Sequence, residues 1–372
     1  MLDARIYNRE AKTLQAAGYQ VLHIGYGNED KHYFTEDGIE IIQLKKIKKG
    51  NSLKTAFKSF NQSFLANIFE VAANTKADVY HLHDVELCRI VRKLKKLSHK
   101  PKVIYDAHEA YLENFLDFRK YASKTKMLFI DIPALIAERR AIKHLDFLIA
   151  PVNFIISKLT KETKKTALIH NYSYFEPKEL NAQSKKYDLI YSGTISEIRG
   201  LELVIEAIKE CKNNGHIVSF VIVGSFNSAE HELAVKQLID DYGLKNQIHF
   251  TGHIPFDDVE DYYKQSKIGT CILPFNKSFN IGEPVKVFEY LLCGLPVILS
   301  NYGVMKEIAE ADNIGFAVDP HNAKDIADKI QYLLSENRYE SYFQRCVTVG
   351  KAKYAWKNEG VKLLSIYKSL LQ

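Results

Sequence analysis

The chain has 372 residues, 46% of them hydrophobic and 26% charged, ordinary for a globular protein, and its length is too great for one typical core and comfortable for two domains. Its charge is uneven: residues 1–186 carry a net +11 and residues 187–372 a net −5, so two units with different partners are expected. Five widely spaced cysteines without a CxxC pair argue against a disulfide framework or a zinc finger, no apolar run reaches the roughly 18 residues of a membrane span, and MLDARIYNREAK is too charged to read as a signal peptide.

In chain order, residues 4–17 form an amphipathic pattern ending at Gly18 and predict a helix. Strands follow at 20–25 and 39–44, a long helix at 53–74, a buried strand at 77–83, a helix at 86–98, a strand at 102–105, a helix at 121–144 and a strand at 146–150. Short continuous apolar runs between helical stretches are the mark of parallel strands covered on both faces. The polar stretch 171–186, NYSYFEPKELNAQSKK, breaks this rhythm. It restarts with strands at 189–192, 219–223, 248–250, 268–273 and 296–299, helices at 200–213, 229–242, 259–265 and 284–293, and terminal helices at 322–335 and 339–371. The fold class expected is α/β, with two Rossmann-like domains facing a cleft. The first domain spans 1–173, a linker 174–186 and the second domain 187–354, with a C-terminal helix at 355–372 packing back on the first domain.

The densest motif is NIGEPVKVFEYLLCGLPVILS, residues 280–300. Gly282 permits close backbone approach, Pro284 suits a helix start, and Gly294 followed by Pro296 suits its end. The helix N-terminus offers free N–H groups to an anion such as a diphosphate. Lys286 and Glu289, three apart, share one helical face. The lysine can neutralise phosphate charge and the carboxylate can accept from a ribose diol; the competing reading is a surface ion pair. A second motif, YSGTISEIRGL at 191–201, sets Gly193 and Thr194 in a turn after a strand and Arg199 near the next helix start. In the first half, HLHDVE (81–86) and YDAHEA (105–110) put histidines and carboxylates at strand ends. His108 suits contact with a sugar or proton transfer, and Asp84 the orientation of an acceptor, with His83 and Glu109 beside them. The spacing of these groups fits no metal-ligand pattern, and His81 reads as a core histidine.

These segments resemble glycosyltransferase family 4, the retaining family of two-Rossmann-domain (GT-B) enzymes found in bacterial surface-polysaccharide synthesis. The likeness runs through DARIYNREAKTLQAAGYQV, HLHDVEL, YDAHE, SGTISEIRGL, IVGSF, TGHIP, PVKVFEYLLCGLPVI and GVMKEIAEADNIGFAV. It implies that Arg199 and Lys286 grip a donor diphosphate, Glu289 binds the ribose, and His253 and Ile254 line the base. It places His108 beside the transferred sugar, and Gly282 and Glu283 against sugar and phosphate. Two departures stand out. Ile281 occupies a position where the family often has glutamate, and the chain starts at Asp3-Ala4-Arg5, where relatives already have an opening strand behind them. Either the true start lies upstream, which is the favoured reading, or the first domain is degenerate.

The resemblance predicts a cytoplasmic hexosyltransferase that uses a nucleotide-sugar, needs no metal, and serves a glycan or lipid-linked acceptor. The basic first half fits an anionic acceptor or peripheral contact with an anionic membrane at its inner face. No recognised nucleic-acid motif appears. The alternatives are a non-catalytic sugar-nucleotide-binding or scaffold relative and a nucleotide-sugar epimerase of the same fold. An NAD dehydrogenase is disfavoured because no GxGxxG follows the first strand.

Overall fold

The computed structural model describes residues 3–46, 65–108, 132–161, 165–177, 180–183 and 185–372. The backbone separates into two compact units, Met1–Asn171 with Glu359–Gln372, and Tyr172–Asn358.

The first unit opens with a π-helical segment, Ala4–Ala11, that runs into α1 (Lys12–Ala16). Asp3 starts it: its carboxylate accepts the N–H groups of Arg5 and Ile6, which no helical carbonyl satisfies. The expected single α-helix over 4–17 is therefore two segments, and the wider turns come with Arg5, Arg9 and Glu10 all buried. Strand β1 (Leu22–Gly27) pairs in parallel with β3 (Glu40–Lys45), and β2 (Lys31–Phe34) pairs antiparallel with β3. Strand β2 is exposed throughout and has no apolar alternation, so no periodicity marks it in the sequence. A second sheet holds β4 (Val79–Leu82), β5 (Lys102–Asp106), β6 (Phe147–Ala150) and β7 (Thr166–Leu168), all parallel. Among the described residues this unit has two sheets, and no strand precedes β1. Helices α2 (Leu65–Thr75), α3 (Val91–Leu94), α4 (Ile132–Ala141) and α5 (Asn153–Leu159) belong to it. Its core joins Leu65, Ile68, Leu82, Val91, Val103 and Leu148.

The second unit is built on one parallel six-stranded sheet of order β10-β9-β8-β11-β12-β13. Its strands are β8 (Tyr187–Ser192), β9 (Phe220–Val223), β10 (Ile248–Gly252), β11 (Ser266–Cys271), β12 (Val297–Ser300) and β13 (Gly315–Val318). The helices are α6 (Leu201–Asn213), α7 (Ala229–Asp241), α8 (Phe256–Lys264), α9 (Lys277–Ile281), α10 (Val285–Leu292), α11 (Gly303–Ala311), α12 (Ala323–Leu334), α13 (Glu336–Lys353) and α14 (Trp356–Leu371). Successive strands of β8, β9 and β10 step one way, and β11 then lands on the other side of β8. The carboxyl ends of β8 and β11 thus flank a topological switch point, where such sheets open a crevice for ligands. Two buried apolar clusters pack on the sheet, one built around α6 and α12 and the other around α10.

Residues 174–186, expected as the interdomain linker, fall within the span of the second unit. Phe175 joins its core against Tyr263, and Ala182 packs with Tyr339 and Phe343; the polar composition of the stretch hides these apolar anchors. The expected helix over 339–371 breaks in two between Lys353 and Trp356. There the Trp356 N–H bonds the Ser173 carbonyl at 2.7 Å, and the Tyr354 ring stacks on Phe288. Contact with these distant residues overrides the local helical pattern. From Glu359 onward α14 lies in the first unit, where Glu359 is buried and accepts the His170 N–H at 2.9 Å.

Candidate functional site

At the switch point β8 ends in Ser192 and the chain turns through Gly193, at φ +121°. A Cβ there would stand 3.2 Å from the Lys286 ammonium, and a Cβ on Gly224 would collide with the Gly193 carbonyl at 2.1 Å. Two glycines let three chain segments meet at a distance that side chains would forbid. Gly193 and Thr194 are exposed; Ser196 and Leu201 behind them are buried. A short 3₁₀ turn, Glu197–Arg199, follows, and Gly200 at φ +65° reverses into α6. Arg199 lies over the Phe279 ring at 5.3 Å.

Helix α10 begins at Pro284, which is its N-cap rather than its first residue, with an extended ψ of 102°. The helix turns Val287, Phe288, Tyr290 and Leu291 into the core. Gly269 makes this packing possible, because a Cβ there would lie 2.2 Å from the Tyr290 ring. Gly294, at φ +80°, closes the helix as expected. Lys286 places its ammonium 3.9 Å from the centre of the Tyr191 ring, a cation–π contact at the mouth of the switch point. Burial, reinforced by the nearby Arg199 charge, lowers its pKa to about 8, while Cys271 and Glu289 pull the other way. Glu289, 5% exposed, accepts a hydrogen bond from the Tyr263 hydroxyl at 2.9 Å. Lys286 and Glu289 are thus held by different partners, an aromatic face and a phenol.

The arrangement is two cations and a helix start around a strand-end turn, with a buried carboxylate one helical turn behind. Its chemistry is that of a polyanion site beside a diol acceptor. Gly282 (φ −81°) and Glu283, both partly buried, lie in the turn between α9 and α10. His253 is exposed and Ile254 partly buried, both just after β10.

The first unit carries a second polar cluster. Arg5 forks onto Asp106, with Nε 2.6 Å from Oδ2 and NH2 2.9 Å from Oδ1, and donates to the Ile169 carbonyl at 3.1 Å. Its Nε lies 3.2 Å from Glu10. His83 stands between Asp106 (3.4 Å) and Glu10 (3.8 Å), and His81 meets the Tyr367 hydroxyl at 3.1 Å and Glu10 at 3.6 Å. Ligand-type atoms of Glu10, His81, His83 and Asp106 all lie within 4.8 Å, a metal-like spacing that the linear sequence did not reveal. In this structure Arg5 supplies the cation beside both carboxylates. Burial pushes the Asp106 carboxyl up, but Arg5 and His83 outweigh it and hold the group well below the usual range. Burial and the Asp106 charge push Glu10 well above it, and burial with the neighbouring His83 charge pushes His81 well below.

Of the residues singled out in the first half, His83 is therefore bound into this cluster and only 13% exposed. His108 is partly exposed, with Nδ1 4.0 Å from Asp106. Asp84 is exposed at the start of a 3₁₀ turn, Val85–Ile90. Glu109 lies outside the described residues. Arg5, Glu10, Ser192 and Tyr263 carry no local pattern that marks them as site residues, and Asp106 shows only as one carboxylate of YDAHEA. Arg5 and Glu10 look like ordinary helix-surface charges, and Tyr263 meets a partner 26 residues away.

Comparison with known proteins fits this geometry. Residues 174–350 match the family model of glycosyl transferases group 1. That segment contains Gly193, Arg199, Lys286 and Glu289. The chain is similar to the putative colanic acid biosynthesis glycosyltransferase WcaL of Escherichia coli, with 24% identity over 159 residues covering 42% of this chain and 38% of the relative. It is also similar to spore coat protein SA of Bacillus subtilis, with 27% identity covering 51% and 50%. It thus spans about half or less of the curated relatives it matches. Among solved structures, sucrose-phosphate synthase from Thermosynechococcus elongatus superposes with a TM-score of 0.71 at 17% identity, over 97% of this chain and 91% of that one. Anabaena Alr3699/HepE, solved in complex with UDP, gives 0.68 at 14% identity, over 94% and 100%. The fold is that of the GT-B glycosyltransferases, with two Rossmann-like units. Among the described residues no helix is long and apolar enough to cross a membrane.

Proposed function

We propose that this protein is a retaining glycosyltransferase of family 4. It moves a sugar from a nucleoside-diphosphate sugar to a glycan or lipid-linked acceptor in cell-surface polysaccharide synthesis. The observation that carries this reading is the Lys286 ammonium at the Gly193 turn, with Arg199 nearby and Glu289 behind, inside the segment that matches the family model. Departure of the nucleoside diphosphate is the demanding step. Arg199, Lys286 and the start of α10 stabilise the charge that grows on it, as preorganised donors do. Glu289 accepts from the ribose, His253 and Ile254 border the base, and the turn at Gly282 and Glu283 meets sugar and phosphate. His108 serves the sugar side, and Asp84, His83 and Glu109 the acceptor side. With two cations on the diphosphate, transfer needs no divalent metal, so activity persists in EDTA. The excess of basic residues in the first half supports an anionic acceptor or contact with the inner face of an anionic membrane, in the cytoplasm.

The test pairs binding with turnover. A thermal-shift panel with UDP, GDP, ADP and their sugars identifies the donor, because a ligand of the native state raises Tm by mass action. The same donor is then used with membrane-derived acceptors on wild type and Lys286→Ala, and the anomeric configuration of the product is read by NMR. Losing one charge-stabilising donor lowers turnover about a hundredfold. Binding without any turnover favours the non-catalytic relative, release of an altered donor sugar without acceptor favours the epimerase, and equal turnover in Lys286→Ala refutes the site.

A further inference from the structure

The donor site is backed by a hydroxyl network that the glycosyltransferase reading does not use. Tyr263, on α8, is 1% exposed. Its hydroxyl donates to Glu289 Oε2 at 2.9 Å and lies 2.7 Å from Ser192 Oγ. The Ser192 N–H in turn donates to the Tyr290 hydroxyl at 3.1 Å. The rings of Tyr263 and Tyr290 meet edge to face at 5.1 Å, and Phe175 closes the other side of Tyr263 at 6.0 Å. Ser192 is the last residue of β8, directly before the Gly193 turn; Glu289 is one helical turn after Lys286. The phenol therefore ties the strand end that leads into the anion turn to the carboxylate on α10.

We infer that Tyr263 is a positioning residue: its hydroxyl fixes the Glu289 carboxylate in the one orientation that reads the ribose hydroxyls of the nucleotide. This rests on the nucleotide-sugar reading above. Three physical points support it. A carboxylate 5% exposed must be matched by donors, and the phenol is one supplied from a separate element. A glutamate side chain has three rotatable bonds, and a bond from a ring packed on two sides removes most of that freedom before the ligand arrives. Burial, together with the Glu289 charge, also keeps the phenol proton in place as a donor.

The experiment measures binding of UDP, GDP and ADP, each beside its 2′,3′-dideoxy counterpart, to the full chain by calorimetry. It is run on wild type, Tyr263→Phe, Glu289→Gln and the double variant. Tyr263→Phe keeps the ring and removes only the hydroxyl. A hydrogen bond to a charged group is expected to matter by about tenfold. So Tyr263→Phe weakens the preferred ribonucleotide about tenfold, leaves the dideoxy form at wild-type affinity, and causes no further loss of ribose preference once Glu289→Gln is present. Equal weakening of both forms makes Tyr263 merely structural and overturns the inference; unchanged affinity for both also overturns it. Wild type that binds no nucleotide, or binds ribo and dideoxy forms alike, removes the assignment of Glu289 to the ribose and this inference with it. That failure is seen before any variant is made. If Tyr263→Phe melts below the assay temperature, Ser192→Ala, which removes the hydroxyl that holds the phenol, is read for the same ribose-selective loss.

Discussion

Lys286 gives the proposed donor site a proton signature. Burial and the nearby Arg199 charge bring its pKa down to about 8 in the free protein. A bound diphosphate supplies the opposite charge and restores the pKa toward the ordinary lysine value of about 10.4. Binding between these values must therefore take up a proton. At pH 7 about nine in ten Lys286 side chains already carry one, and uptake is small; at pH 8.5 about three quarters lack it, and uptake approaches three quarters of a proton per nucleotide. Affinity falls about fivefold between pH 8 and 9, and about twenty-five-fold between pH 7 and 9.5. Calorimetry of UDP binding at pH 8.5 in buffers of different ionisation enthalpy gives the uptake directly, because the apparent heat varies linearly with the buffer's own. Lys286→Arg is the control: arginine keeps its charge throughout this range, so binding persists while uptake vanishes. A wild-type slope of zero at pH 8.5, or an unchanged slope in Lys286→Arg, refutes the argument.

Two further outcomes follow from the same half of the molecule. Without ligand, a partly buried lysine with a depressed pKa opposes folding, fully below pH 8, and the penalty fades as pH rises from 8 toward 10.4. Lys286→Met, whose side chain rests equally well on Tyr191, therefore raises apo stability at pH 7 by up to about 3 kcal/mol while abolishing the nucleotide shift, which parallel melts with and without UDP will show. Gly269→Ala forces a methyl to within 2.2 Å of the Tyr290 ring. It is expected to lower stability by about 1–3 kcal/mol in urea unfolding and to weaken nucleotide binding through displacement of α10.

Much of the second unit was legible in the sequence. The strand-turn-helix rhythm and Gly294 as a helix terminator rest on local chemistry, and local chemistry is written in order along the chain; that Lys286 serves the same site as the 191–201 motif came only from the family resemblance. What was not legible depends on contacts across long separations. Phe175 looks like one aromatic in a polar linker until the second unit folds around it. The break after Lys353 serves a backbone bond from Trp356 to Ser173. Tyr263 sits in an acidic, aromatic helix, and nothing in that helix announces Glu289. In the first unit exposed β2 escaped period counting because it has no apolar alternation, and the amphipathic pattern over 4–17 gave a helix there but not its π-helical opening turns. The polar cluster escaped for a related reason: Arg5, Glu10, His81, His83 and Asp106 come from three segments that the fold alone brings together.

That cluster makes an asymmetric prediction about two carboxylates side by side. Asp106 is held well below the ordinary range, so its ionised form contributes stability above about pH 4 that is lost as pH falls through the folded-state value. Glu10 is raised well above its range, so its protonated form contributes stability at low pH that is lost as pH rises through its folded-state value. The unit is squeezed from both sides, and the same neutralising change should have unequal effects at the two positions. Asp106→Asn leaves the Arg5 guanidinium without the carboxylate that receives its fork, and breaking such a buried pair typically costs about 3–5 kcal/mol. Glu10→Gln mimics the protonated form toward which burial and Asp106 shift Glu10, so it costs less stability than Asp106→Asn and weakens the decline toward alkaline pH. Hydrogen exchange at the amides of β4 and β5, followed across pH in both variants, reports the opening of this unit alone. Equal losses in the two variants would mean that the carboxylates share the Arg5 charge evenly, and the division of labour argued from their distances would be wrong.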